Sequence, residues 1–182
     1  SDLGSTVNCL VPNSTLQYTS SNTGSVGITA YDWKIDGGTT IATTQNLNYN
    51  YRVPGNHVLS LKVTTANGCT FTATKNIIVD SIKTKFAIDQ YQFCGSGTVN
   101  FINNTTSFTT PSYIWTFGDG TNATTTSPSH LYNTDGIYTV KLFAQNLNGC
   151  KDSTTFIDTI KVYKIPAATI NGATVNCLVP NS

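Results

Sequence analysis

Cysteine is the residue type in this 182-residue chain with the clearest chemistry, and the spacing of its five cysteines is repeated. Cys9 and Cys94 precede similar blocks of sequence, and Cys69 and Cys150 each follow an Asn-Gly pair. This pattern predicts one disulfide in each block, Cys9–Cys69 and Cys94–Cys150, and the two bridges would close loops of similar length. Such a bridge stabilises a small domain by about 4 kcal/mol in the chain-entropy treatment. Buried free thiols are the alternative, and zinc is disfavoured because no Cys-x-x-Cys pair occurs.

The fifth cysteine, Cys177, lies in a segment that repeats an earlier part of the chain. Residues 4–14 recur as residues 172–182, shifted by 168 positions with one substitution in eleven. Near-identity of this kind indicates recent duplication, so we expect the chain to be one period, with an overhang, of a longer tandem array. Cys177 would then pair within a unit that continues beyond Ser182.

A shorter and more diverged repeat lies inside the long one. Residues 31–38 match 113–120, and residues 51–57 match 132–138. The repeating unit is therefore about 80 residues, a size that can bury one core, particularly with a covalent staple. We predict one domain over residues 1–80, a second over 83–164, and the start of the next repeat over 165–182.

The sequence contains few residues that could act in catalysis. General acid–base catalysis needs paired carboxylates or a histidine beside a carboxylate, and the nine acidic residues are all aspartates, mostly in turn-like contexts. His57 aligns with Tyr138, and His130 aligns with Tyr49. Because a catalytic histidine is not normally exchanged for tyrosine in a duplicated scaffold, we expect structural roles for both histidines. No G-x-S-x-G or H-E-x-x-H motif and no phosphate-binding glycine loop occurs, so we predict a non-enzyme without a cofactor.

The composition excludes two further classes. The formal net charge is +1 and only 10% of the residues are charged, so no basic surface is available for nucleic-acid phosphates. No run of 18 apolar residues occurs, which predicts no membrane insertion in this segment. Any export signal or anchor would have to lie outside it.

Short alternating segments separated by turn signals predict a β-sandwich. Trp33 and Trp115 lie at matching positions in the middle of predicted strands, where a large ring would fill the space between two sheets. No segment is typical of a helix. The connector at residues 80–83 is short, which favours a semi-rigid rod. Predicted strands cover residues 15–18, 57–63, 76–79, 98–102, 138–144 and 159–162.

At this point the residues resemble a known family. Residues 115–120, 127–132 and 136–140 of the second unit, in that order, are similar to the signature of polycystic-kidney-disease (PKD) domains. The first unit departs from it, with Gly37 at the turn aspartate and Tyr49 at the histidine. The resemblance implies an all-β chain of two tandem immunoglobulin-like, seven-stranded β-sandwiches, followed by the first strand region of a third. The Asn-Gly-Cys pattern is similar to PKD units of very large, repeat-built surface proteins of gliding and predatory bacteria.

Some residues have both a structural and a functional interpretation. Asp119 lies between two glycines, where a turn role is favoured over the calcium ligand that some PKD domains carry, and we assign no metal. Tyr91 and Phe93 could stack on sugars, although packing is the commoner role. The Asp-Ser/Thr-apolar triplets around Ser81, Ser153 and Thr159 resemble acceptor sites of bacterial O-glycosylation.

We therefore predict a structural or adhesive segment of a secreted, disulfide-stapled tandem-repeat protein at the cell surface, which forms a stalk or an extracellular filament. Its partners would be further copies of the repeat, other copies of the chain in a filament, and a surface glycan or protein ligand. The alternative is an accessory spacer or polysaccharide-binding module of a secreted hydrolase.

Overall fold

The computed structural model describes residues 6–9, 15–21 and 27–166, and every regular element in these ranges is a β-strand. Turn residues such as Gly68, which has a positive φ of 79°, separate long strands rich in Thr, Val and Ile. The strands of the first half are β1 (Thr6–Cys9), β2 (Leu16–Thr19), β3 (Ile28–Ile35), β4 (Asn46–Tyr49), β5 (Gly55–Thr65) and β6 (Thr70–Asp80).

These strands form two sheets around one core. One sheet has the order β1-β6-β5-β3, and the other pairs β2 with β4. Trp33, Leu59 and Ile77 are buried between them, together with Leu47 of β4. The Trp33 indole N–H donates to the carbonyl of Thr44 over 2.9 Å, so the large ring is buried without an unpaired donor.

The second half repeats this arrangement with additional short strands. The strands are β7 (Ile82–Lys83), β8 (Phe86–Ile88), β9 (Gln92–Cys94), β10 (Gly97–Asn103), β11 (Thr106–Ser107), β12 (Pro111–Thr116), β13 (Asn122–Ala123), β14 (Ser129–Tyr132), β15 (Gly136–Asn146) and β16 (Lys151–Tyr163). One sheet has the order β13-β12-β15-β16-β9, a second has the order β14-β10-β8, and β7 pairs with β11.

The core of the second half contains more aromatic rings. Trp115, Phe101 and Phe117 are almost fully buried, and the Trp115 indole N–H donates to the carbonyl of Thr125 over 3.0 Å. This bond corresponds to the one made by Trp33. The two tryptophans therefore fill the same place in two copies of one fold.

The predicted all-β class and the tandem sandwich architecture are confirmed. The alternating segments at residues 57–63 and 138–144 lie in the longer strands β5 and β15, and the predicted closing strands lie within β6 and β16. The first predicted strand is displaced by one residue, to Leu16–Thr19. Within the described ranges, no helix is long and apolar enough to cross a membrane. The expectation for residues 165–182 falls almost wholly outside those ranges, as does Cys177.

In each half, one short strand that ends in a cysteine, β1 or β9, runs parallel to the last strand of that half, β6 or β16. Cys9 at the end of β1 lies opposite Asp80 at the end of β6, and Cys94 at the end of β9 lies opposite Tyr163 at the end of β16. Each of these two cysteines is thus placed at the carboxyl end of a long strand. The hairpin that carries the Asn-Gly-Cys sequence is at the other end of that strand.

Candidate functional site

The junction between the two halves is built around one buried carboxylate. Asp80, the last residue of β6, is 0% exposed. Its Oδ1 accepts hydrogen bonds from the Ser81 N–H over 2.6 Å and from the Asn146 side-chain amide over 2.8 Å. Its Oδ2 accepts from the Asn148 amide over 2.6 Å and from the Thr109 hydroxyl over 2.8 Å. Four donors satisfy the buried charge, and three of them are side chains of the second half.

The partner of Asp80 is the hairpin between β15 and β16. The Asn146 N–H donates to the Cys150 carbonyl over 3.0 Å, and the Gly149 N–H donates to the Asn146 carbonyl over 3.0 Å. Gly149 has a positive φ of 82°, a conformation that glycine adopts without strain. The Asn146 side chain also accepts from the Cys150 N–H over 3.0 Å. One asparagine therefore shapes the turn and joins it to the end of the first half.

A disulfide closes the same junction. Cys9 is bonded to Cys150, with their Cα atoms 5.4 Å apart and a sequence separation of 141. Cys150 is 3% exposed. The bridge therefore joins the first strand region of one unit to the β15–β16 hairpin of the next unit.

The predicted pairing within each unit was wrong. Cys9 lies opposite Asp80 at one end of β6, whereas Cys69 directly precedes Thr70 at the other end. A strand rises about 3.3 Å per residue, so the 11 residues of β6 separate the two cysteines by about 35 Å. A disulfide needs Cα atoms within about 7 Å.

The same geometry excludes the bridge Cys94–Cys150. Cys94 lies opposite Tyr163, while Cys150 directly precedes Lys151 at the far end of the 13-residue strand β16. Their separation along the strand is about 40 Å. Cys69 and Cys94 are free and exposed. The similar spacing of the cysteines in the two units shows that they occupy matching positions in the repeat. It does not show that the two cysteines of one unit are bonded to each other.

A second polar contact reinforces the junction. The Asp152 carboxylate accepts from the Thr84 N–H over 2.7 Å and from the Thr84 hydroxyl over 2.9 Å. Partial burial of Asp152 opposes its ionisation, but the hydrogen bonds from Thr84 outweigh this and hold the pKa of the carboxyl below its ordinary value. The connector between the halves is therefore paired as strand β7 on one side and bonded to β16 on the other.

Each half also contains an aspartate–histidine pair that sequence comparison did not reveal. His130 Nε2 lies 2.6 Å from Asp119 Oδ2, and His57 Nδ1 lies 2.7 Å from Asp36 Oδ2. The aspartates of the two pairs are not equivalent in the alignment, because Asp119 aligns with Gly37. The two units reach the same kind of pair with residues at different positions.

Neither pair has the arrangement of a catalytic relay. Thr121 brings a hydroxyl close to His130, but it approaches the same ring nitrogen that contacts Asp119, at 3.3 Å. A relay needs the acid on one ring nitrogen and the nucleophile on the other. The His130 ring is also stacked on Phe117, with centroids 4.1 Å apart and planes at 3°.

His57 has a structural counterpart in the sister unit. Its Nε2 bonds to the carbonyl of Val53 over 3.0 Å, four positions earlier. Tyr138, which aligns with His57, donates its hydroxyl to the carbonyl of Thr134 over 2.7 Å, also four positions earlier. Both side chains close the turn that leads into the long strand β5 or β15.

Asp119 makes the turn contacts expected of it. Its Oδ1 accepts from the Thr121 N–H over 3.0 Å and from the Thr121 hydroxyl over 2.6 Å. Burial raises the pKa of Asp119, but these bonds and the one from His130 outweigh burial, and the pKa lies below its ordinary value. Among the described residues, no group of three or more metal-ligating side chains comes together.

The remaining candidates are spread over the surface. Phe93 packs against the core of the second half and Tyr91 is exposed, so packing is the role of the first only. Ser153 is exposed on β16, whereas Ser81 and Thr159 are half-buried. The carbonyl of Ser81 accepts from the Phe108 N–H at the junction, and the Thr159 hydroxyl donates to the Ile157 carbonyl.

Comparison with known proteins agrees with this architecture. The family model for the PKD domain matches residues 6–79 and 87–162. The chain therefore belongs to the PKD domain family, and it carries two such domains in tandem.

The individual relatives each match a part. A stretch of 38 residues is 47% identical to collagenase ColA of Bacillus cereus, which is 21% of this chain and 4% of the collagenase. The PKD1 domain of the Vibrio cholerae metalloprotease PrtV is 27% identical, with a TM-score of 0.38, over 44% of this chain and 94% of that domain. A three-domain immunoglobulin segment of titin is 13% identical, with a TM-score of 0.54, over 89% of this chain and 62% of that segment, and this likeness concerns the fold alone.

Proposed function

We propose that this chain is a structural segment of an extracellular tandem-repeat protein, which projects from the cell surface as an adhesive stalk or filament and resists pulling. The coarser part of this proposal, an accessory extracellular module, agrees with the PKD domain family and with its occurrence in bacterial proteases. The adhesive and filamentous role goes further. It is supported by the long repeat in the sequence and by the covalent junction between the two domains.

The Cys9–Cys150 disulfide is the observation that carries the proposal. The bridge fixes the distance between Cys9 of the first domain and Cys150 of the second. Disulfides persist in oxidising surroundings outside the cytosol, which supports an extracellular location. A covalent tie across a domain boundary is useful where the boundary is under tension.

The bridge changes the path of a pulling force. A force applied at the two ends of the chain passes from Cys9 to Cys150 through the sulfurs and bypasses the sequence between them, a separation of 141. That sequence cannot extend even if both cores open. A fully extended chain spans about 3.5 Å per residue, so the bridge withholds about 500 Å of length.

Single-molecule stretching of the chain from its two ends tests this mechanism. With the disulfide intact, we expect the total gain in contour length to be about 500 Å smaller than after reduction. Cys9→Ser should reproduce the reduced behaviour without a reducing agent, and Cys94→Ser is the matched control that should leave the short extension unchanged. Equal extension of the oxidised and reduced chains would contradict the proposal.

The array itself needs a separate observation. Electron microscopy of native surface material, combined with the mass of the complete polypeptide, should reveal long thin projections and many consecutive copies of the repeat. A surface glycan or protein would be the adhesive ligand. If the exposed Ser153 carries a glycan, the mass of the native protein will exceed that of the bare chain.

The alternative is a spacer or polysaccharide-binding module beside a secreted hydrolase domain. The matches to a collagenase and to a metalloprotease favour it, because in both cases the matching segment is part of a protease. The flanking sequence separates the two functions. Further copies of the repeat support the array, and an adjoining catalytic domain supports the accessory module.

A further inference from the structure

We infer that Cys69 and Cys94 are partners in a second inter-domain disulfide, which joins Cys94 of one copy of this chain to Cys69 of the copy that follows it. This inference rests on the tandem array proposed above. It assigns a bonding partner to each of the two exposed thiols and predicts that every domain boundary of the array is closed by the same type of bridge.

The first argument is the equivalence of positions. Cys94 ends the first strand of its sheet as Cys9 does, each opposite the last residue of the closing strand. Cys69 follows the hairpin turn of the first half as Cys150 follows that of the second, and the turns share their backbone bonds, Thr65 with Cys69 and Asn146 with Cys150. Each domain thus offers one cysteine at either end, and the described junction uses one of each kind.

The second argument is the spacing along the sequence. Cys9 and Cys150 have a sequence separation of 141. If the repeat continues with the shift that relates Cys9 to Cys177, Cys69 of the following copy follows Cys94 at almost the same separation. The connectors agree as well, because the interval from Val79 to Cys94 equals the interval from Val162 to Cys177. The next boundary therefore has the same length of sequence as the described one.

The third argument is a matched change of surface chemistry. At the described junction Asp152 bonds to Thr84. The residue that aligns with Asp152 in the first half is Phe71, and the residue that aligns with Thr84 after the second half is Ala167. A polar pair is thus exchanged for an apolar pair, with both members changed together. Phe71 is 65% exposed in this structure and is therefore accessible to a second copy.

The buried carboxylate of Asp80 is likewise replaced by a less polar residue at the equivalent position of the second half. Asp80 aligns with Tyr163, which is 49% exposed, and Asn146 aligns with Thr65. The amide that bonds to Asp80 is therefore lost where the carboxylate is lost. Ile165, two positions after Tyr163, is 64% exposed. The end of the second half thus presents two exposed apolar side chains, Tyr163 and Ile165, and the hairpin of the following copy presents Phe71 to pack against them.

The bond forms by exchange with a small disulfide such as oxidised glutathione. The thiolate of Cys94 attacks one sulfur of the oxidant, forms a mixed disulfide and releases one glutathione thiol. The thiolate of Cys69 from the following copy then attacks the Cys94 sulfur and releases the second glutathione thiol. The two protein thiols lose two electrons and two protons, and the oxidant is reduced to two thiols.

Successive bridges of this kind overlap. The described bridge spans from Cys9 to Cys150, and the inferred bridge starts at Cys94, inside that span. Every residue between the first Cys9 and the last bonded hairpin cysteine of the array then lies between the two cysteines of at least one bridge, and no domain boundary depends on hydrogen bonds alone.

The test is a disulfide map of two copies joined at the repeat, residues 1–168 followed by residues 1–182, after oxidation in a glutathione buffer. Trypsin without reduction releases residues 63–75 with Cys69 and residues 86–141 with Cys94. We expect these two peptides to be cross-linked. The cross-link between residues 1–34 and 142–151, which contains the Cys9–Cys150 bridge, reports in the same digest that the domains are folded.

The same substitution in either copy supplies the matched control. Cys69→Ser in the second copy should abolish the cross-link, whereas Cys69→Ser in the first copy should leave it intact, because the first copy has no preceding neighbour. Absence of the cross-link between residues 63–75 and 86–141 in a digest that contains the Cys9–Cys150 bridge, or equal effects of the two substitutions, would overturn the inference. The array proposal is judged separately, by whether the complete native polypeptide contains consecutive copies.

Discussion

His57 and Tyr138 illustrate how one position can keep its role while the residue changes. Both bond to the carbonyl four positions earlier, and both lie where the chain enters the long strand β5 or β15. The alignment of histidine with tyrosine was therefore enough to predict a structural role from sequence. The aspartate partner of His57 was not predictable, because Asp36 has no acidic equivalent in the second half.

The His57–Asp36 pair should make the stability of the first domain depend on pH. Burial lowers the pKa of His57, but its bonds to Asp36 and to the Val53 carbonyl outweigh burial, so its pKa lies above the ordinary value of 6.5. Hydrogen bonding from His57 lowers the pKa of Asp36 below 3.8. The stabilisation is present from about pH 4 to pH 6.5, and it is lost as the pH rises through the pKa of His57 in the folded state.

His57→Tyr tests this dependence, since tyrosine is the residue of the sister domain. We expect the melting temperature of the wild type to exceed that of the variant by about 2–4 °C more at pH 5.5 than at pH 8, a small effect because Asp36 is partly exposed. Calorimetric melts at the two pH values give the difference. An identical pH dependence in both proteins would show that the pair does not contribute.

Asp80 should matter more than any other polar residue at the junction. Asp80→Ala removes the fully buried acceptor of four hydrogen bonds. We expect the free energy of opening of the β15–β16 hairpin to fall by about 3 kcal/mol, so that the amide protons of Asn146 and Cys150 exchange about 100-fold faster. Hydrogen exchange with mass spectrometry measures this rate.

Asp152→Ala is the control for Asp80, because Asp152 accepts its junction bonds from Thr84 alone and is partly exposed. Its effect should be about 1 kcal/mol. If the two substitutions accelerate exchange equally, the buried carboxylate is not the centre of the junction. Sequence alone did not identify Asp80, since its donors come from three separate segments of the chain.

At the scale of elements, the turn between β12 and β13 depends on two glycines with different surroundings. Gly118 has a φ of 89°, and a Cβ atom there would lie 2.6 Å from the carbonyl oxygen of Thr139. Gly120 has a φ of 92°, but no atom lies within 4 Å of its Cβ position. The turn is thus held against β15 at the first glycine and open at the second.

Gly118→Ala should therefore be the more damaging substitution. Both changes force alanine into a left-handed conformation at a cost of about 1–2 kcal/mol, and Gly118→Ala adds a backbone clash of about 1–3 kcal/mol. Thermal melts of the two variants give the comparison. Equal melting temperatures would contradict the close approach of the turn to Thr139.

Elements also explain where sequence reasoning succeeded and where it failed. Alternating apolar residues identified β5, β15 and the closing strands, because each has one face toward the core. The alternation of apolar residues does not show whether β1 and β9 run parallel or antiparallel to the neighbouring strands. Since these strands run parallel to their neighbours, they carry Cys9 and Cys94 away from the hairpins of their own domains. Both predicted pairings were wrong: Cys9 is bonded to Cys150, and Cys69 and Cys94 are free.

At the scale of the whole molecule, the main feature is the junction that joins the two repeated domains. Two domains with separate cores are joined by a buried carboxylate network and by a disulfide that neither domain can form alone. Small domains usually use a disulfide to support their own fold. Here each domain has its own core with buried aromatic residues, and the Cys9–Cys150 disulfide connects the two domains.

The disulfide map of the oxidised chain tests this account most directly. Trypsin digestion without reduction should release residues 1–34 joined to residues 142–151, the cross-link that contains Cys9 and Cys150. Cys150→Ser should remove it, and Cys69→Ser should leave it unchanged. A cross-link between residues 1–34 and 63–75, which would join Cys9 to Cys69, would contradict the inter-domain staple and the mechanical role built on it.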